Sequence, residues 1–126
     1  MTDAKTHYLQ GLKLFGVSKF EESIVEYRAA LELQPDWADV IHAMATAQSK
    51  LGRHDEAIEN VNRVIKLTPT DAFAYTSLSI FLQRKGLIPE AEQAAAHARM
   101  LSWKEELKKN PKAPPPAGPG PMHVVQ

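Results

Sequence analysis

The chain has 126 residues, with 15 Lys plus Arg against 15 Asp plus Glu, for a formal net charge of zero. Basic residues are interspersed with acids, so no global field draws nucleic acid or an anionic membrane. Cysteine is absent, which excludes disulfides, thiolate metal sites and cysteine nucleophiles.

The length suits one domain with a real core. The opening MTDAKTHYLQGL has no basic stretch followed by an apolar one, so no signal peptide is expected. No apolar run approaches the roughly 18 residues of a membrane span. A cytoplasmic protein is the expectation.

From Thr6, the residues Tyr8, Leu9, Leu12 and Phe15 form an apolar helical stripe, broadened by Leu14. Ser18 and Glu21 have the S-x-x-E spacing of a capping box. A second helix, Lys19 to Leu33, is expected to bury Phe20, Ile24, Tyr27, Ala30, Leu31 and Leu33. Pro35 stops it, and Asp36 is placed to cap the next helix.

The stretch from Trp37 to Pro69 reads as two helices and a tight turn. The first carries Ile41, Met44, Ala45 and Leu51, and the second Ala57, Ile58, Val61, Val64, Ile65 and Leu67. Gly52 suits a left-handed C-cap between them. Asp55 and Glu56 then favour the dipole of the second helix.

Thr70 and Asp71 are candidate caps for a third pair. Its first helix carries Phe73, Tyr75, Leu78, Phe81 and Leu82. Gly86 makes the turn, and Pro89 falls in the first turn of a helix running through Trp103 to Lys109. After Asn110 the stretch PKAPPPAGPGPMHVVQ cannot be helical, and 111–126 reads as an extended or disordered tail. Its P-x-x-P spacings, Pro111 to Pro114 and Pro116 to Pro119, suit an SH3- or WW-like partner. Val124 and Val125 hint at a docking motif.

Laid on one another, the segments repeat. Pro35 and Pro69 are 34 apart, as are Gly52 and Gly86. Ser23, Ala57 and Ala91 match, and so do Tyr27, Val61 and Ala95, and Leu33, Leu67 and Leu101. A fixed period with small residues where helices approach signals a helical array.

These residues resemble the tetratricopeptide repeat (TPR) family. Ala57, Val61, Val64 and Pro69 resemble its second helix, and Tyr75, Leu78, Ser79 and Leu82 its first. Three units are expected, at about 4–37, 38–71 and 72–105, within one domain spanning 1–110. Departures are His7 and Gln10 in the first unit, Ser18 in place of the turn glycine, and Trp103 in place of proline. The resemblance implies an all-α fold, an α-solenoid of three helix-turn-helix repeats with a long C-terminal capping helix.

It also implies a protein-interaction module that holds a partner's peptide or helix in a concave groove. The positions that would face it are Lys5, Tyr8, Leu12 and Phe15, then Asp39, His42, Thr46, Ser49 and Lys50, then Phe73, Thr76, Ile80, Gln83 and Arg84. The carboxylate-clamp subgroup, which grips the C-termini of Hsp70 and Hsp90, needs cations and asparagines where this chain has Tyr8, Leu12, Ala43, Phe73 and Ser77. Clamp-type binding is therefore not expected. Rival readings are self-association through Met100, Trp103 and Leu107, a dedicated client chaperone, and a tail that occupies the groove itself.

No enzyme, cofactor or metal is expected. The sequence has no phosphate loop, no G-x-S-x-G and no H-E-x-x-H. No two histidines stand three or four apart. Met122 and His123 are the nearest approach to a soft-metal pair.

Overall fold

The computed structural model describes residues 3–116. Among them are six α-helices: α1 (Ala4–Gly16), α2 (Phe20–Leu33), α3 (Ala38–Lys50), α4 (His54–Leu67), α5 (Ala72–Lys85) and α6 (Ile88–Lys109). Sequential helices pair, α1 with α2, α3 with α4 and α5 with α6, and α2 also packs on α3. The chain falls into two compact units that divide between Pro69 and Thr70. No helix is long and apolar enough to cross a membrane among the described residues.

Each hairpin turns through one residue in the left-handed region. Gly52 has φ 80° and Gly86 has φ 93°. In the first hairpin the residue is Ser18, at φ 64°. This overturns the expected capping box. An N-cap side chain reaches the first-turn amides from non-helical, usually extended backbone, whereas Ser18 is spent on the turn and Lys19 holds the N-cap position without a side-chain bond. Asp36 does not cap either. Trp37 is the N-cap of α3, and Asp36 faces Arg63 at 3.8 Å. The side chains that do cap are Asp3, which accepts from the Thr6 amide at 2.8 Å, and Asp71, which accepts from the Phe73 amide at 3.0 Å. The Thr6 amide holds the Asp3 carboxyl below the usual range.

The core of the first unit gathers Ile24, Tyr27, Ala30, Val40, Met44 and Ala47, with Tyr8, Phe15, Phe20, Leu31 and Trp37 packed against it. On α1 the inward stripe is Ala4, Tyr8, Gly11 and Phe15. Leu9 lies about 100° round the helix from Tyr8, and Leu12 sits at the stripe's edge. They are therefore 49% and 40% exposed, Leu12 at a position expected to face a partner. The second repeat is tied to the first by the Arg53 guanidinium, which pairs with the Glu21 carboxylate. Buried Gln48 has its amide oxygen satisfied by Asn60 Nδ2 at 2.8 Å.

Leu33, Leu67 and Leu101 share one repeat position but not one fate. Leu33 and Leu67 end their helices and stay exposed, against the expected burial. Leu101 is buried, because α6 runs on for two further turns to Lys109. In the second unit α5 buries Ala74, Ser77, Phe81 and Leu82, and α6 buries Ala91, Ala94, Ala98 and Leu101. Alanine at these positions allows close approach, so that Ser79 Oγ donates to the Ala91 carbonyl at 2.7 Å.

Beyond α6 the chain folds back on it. Trp103 Nε1 donates to the Ala113 carbonyl at 3.1 Å, and Ala113 is buried. Pro119, Met122, His123, Val124 and Val125 lie outside the described residues.

Candidate functional site

In the first unit the expected partner-facing residues come from α1 and α3. Leu12, Phe15 and Thr46 are brought together, joined by Ala43 and Tyr27, around a cleft of about 180 Å³. The volume suits one apolar side chain of a guest. Phe15 is held edge-on by Phe20, with ring centroids 5.1 Å apart. Thr46 donates its hydroxyl proton to the His42 carbonyl within α3 at 3.1 Å.

The remaining residues of the set do not line that cleft. Tyr8 is half-buried in an aromatic cluster, 5.0 Å from the Trp37 ring and 6.2 Å from that of Tyr27. His42 is only 8% exposed and presents little surface. Lys5 and Lys50 are exposed, and of the further α3 positions Asp39 is exposed and Ser49 is buried.

Tyr27 is the residue sequence reasoning assigned to the core alone. It is fully buried, its ring borders the cleft, and its hydroxyl is enclosed without a hydrogen-bond partner. Burial pushes its phenol up to about 12, with a smaller contribution from Tyr8. Burial also raises the Tyr8 phenol, and the Asp39 carboxylate adds to this. Both phenols are neutral at physiological pH.

In the second unit Phe73, Thr76, Ile80 and Arg84 share one face of α5 at spacings of three and four, and all are exposed. Phe73 is 65% exposed and Ile80 40%. Thr76 and Ile80 border a cavity of about 620 Å³ between α5, α6 and the returning chain. Phe73 and Arg84 are not among its lining residues. The same cavity is lined by Arg99, which the sequence did not mark, and by Trp103, Pro114 and Pro116, which it marked for self-association or a proline-motif partner and not for this cavity. The signal available was the run of small residues Ala95, Ala98 and Ser102, which leaves space beside a long helix. No cluster of His, Asp or Glu able to hold a metal ion occurs among the described residues.

The family model described as "Tetratricopeptide repeat" matches residues 38–71, the α3–α4 hairpin. The chain is 31% identical over 85 residues to small glutamine-rich tetratricopeptide repeat-containing protein 2 of Mycosarcoma maydis, covering 68% of this chain and 24% of that protein. This chain is a tetratricopeptide repeat protein. TPR proteins mediate protein–protein interaction, and the all-α helical-repeat fold agrees. The crystal structure of MamA is similar at a TM-score of 0.79 and 27% identity, over 83% of this chain and 61% of that one. The first TPR of Spaghetti (RPAP3), bound to the HSP90 peptide SRMEEVD, is similar in fold at a TM-score of 0.76 and 20% identity. That match covers 85% of this chain and 89% of the other. This TPR chain spans a quarter or less of the length of the curated relatives it matches.

Proposed function

We propose that this TPR chain is an adaptor that docks an apolar or aromatic-bearing segment, peptide or helix, of another protein. The observation that carries the reading is the open cleft at Leu12 and Phe15, with Tyr27 in its wall. Exposed Phe73 and Ile80 on α5 support the same chemistry in the second unit. A rigid helical scaffold loses little entropy on binding, so a few apolar anchors suffice. Lys5, Lys50 and Arg84 suit acidic flanks of the guest. The clamp positions hold Tyr8, Leu12, Ala43, Phe73 and Ser77, which supply no cationic fork for a terminal carboxylate. The chain works by binding, with no reaction or cofactor of its own, in the cytoplasm. The test is loss of partner affinity on replacing Leu12 and Phe73 by alanine.

Self-association is the second reading. It rests on Met100, which is 41% exposed. Trp103 is engaged with Ala113 and Leu107 is half-buried, so this surface is smaller than the sequence suggests. Light scattering separates the readings, because an adaptor keeps one mass at all concentrations.

A further inference from the structure

We propose that the cavity between α5, α6 and the chain returning after α6 is a second docking site, for a partner-protein segment in which an acidic residue adjoins aliphatic ones. This goes beyond the reading of the Leu12 cleft; it shares Ile80 with the proposed function but needs neither Leu12 nor Phe73. The cavity measures about 620 Å³, room for several side chains. Ile80, Ala98, Trp103 and Pro114 give it apolar walls. The Trp103 N–H is already donated to Ala113, so the indole offers a guest its carbon surface.

Arg99 decides the chemistry of the guest. Arg99 borders the cavity, and its Nη2 is enclosed with no hydrogen-bond partner. Arginine cannot shed its charge, and an enclosed cationic N–H without an acceptor is unfavourable. A carboxylate entering the cavity supplies that acceptor in the strongest form once the guanidinium turns toward it. Glu106, the anion that borders the cavity, stands seven residues along α6, about 10 Å of helical rise away. It leaves Arg99 unpaired and repels a second carboxylate at that end. Residues 117–126 contain no Asp or Glu, so they hold no acidic side chain to fill the role.

The experiment is selection from a displayed random twelve-residue peptide library on the full chain, followed by affinity measurement of the enriched peptides. The site predicts a class with Asp or Glu beside Leu, Ile or Val. Its members should bind wild type and the Leu12→Ala/Phe73→Ala variant equally, and Arg99→Gln at least about tenfold more weakly. Replacing the peptide's acid by its amide should weaken binding as much. Ala95→Leu, which narrows the cavity without altering charge, should also reduce it. Melting of Arg99→Gln should not fall below wild type, since Nη2 has no partner to lose and its removal relieves an unsatisfied enclosed N–H. Absence of an acidic class, or an acidic class indifferent to Arg99→Gln, overturns the proposal. Peptides lost only with Leu12 and Phe73 overturn it too, while leaving the proposed function standing. A concentration-dependent mass abolished by Arg99→Gln assigns the cavity to a second copy and overturns it as well.

Discussion

Gly11 of α1 lies against the ring of Tyr27 of α2 so closely that a β-carbon at Gly11 would come within 2.5 Å of Cε1 and 2.7 Å of Cδ1. Tyr27 is fully buried, so its ring has little room to retreat. Gly11→Ala must therefore separate α1 from α2 at the cleft. We expect a loss of roughly 1–3 kcal/mol, the range for overpacking, read from urea unfolding followed by circular dichroism.

The Tyr27 hydroxyl makes no hydrogen bond. Tyr27→Phe keeps the ring and removes the enclosed polar group. It should raise stability by about 1 kcal/mol. The variant should also change the alkaline behaviour. The phenol titrates near 10 when unfolded and at about 12 when folded. The unfolded chain thus loses its proton first, and wild-type stability falls as pH rises from about 10 to about 12. Tyr27→Phe should flatten most of that fall, leaving the smaller share of Tyr8. Unfolding curves at pH 9, 10 and 11 check the sign.

Ser18 occupies a left-handed turn position that is glycine in the other two hairpins. Ser18→Gly should stabilise by about 0.5 kcal/mol, since relief of strain outweighs the added freedom of the unfolded chain. Gly52→Ala should destabilise by about 1 kcal/mol through backbone strain alone, because a β-carbon there meets no atom within 4 Å. Thermal melts of the two variants should move in opposite directions.

The hairpins were legible because their signals are local. Turn residues at a fixed interval, apolar stripes and the cap at Asp71 needed no tertiary information. Two features were illegible for a physical reason. A serine followed three residues later by glutamate fits both a capping box and a turn, and the left-handed φ of Ser18 selects the turn. Leu33 and Leu101 have the same periodicity, and only the continuation of α6 buries one and not the other. The site was half legible. Leu12, Phe15 and Thr46 do share a cleft, whereas Arg99 faces its cavity only because the chain beyond Asn110 returns to wall it. Composition said that this stretch is not helical, and nothing in it said where it would lie.

The clamp positions lack a cationic fork, so a terminal carboxylate should contribute nothing to binding. Calorimetry with the peptide SRMEEVD, which the RPAP3 repeat binds, should give the same affinity with a free and an amidated C-terminus. Loss of binding on amidation would refute this.

The most direct measurement is the affinity of apolar or aromatic peptides, selected on wild type from the same library, for Leu12→Ala, Phe73→Ala and the double variant. Both side chains are substantially exposed, so the folds should survive, as melting curves will show. The adaptor reading predicts at least about tenfold weaker binding to the double variant, as expected when apolar anchors are truncated. Unchanged affinity in the folded double variant would contradict it.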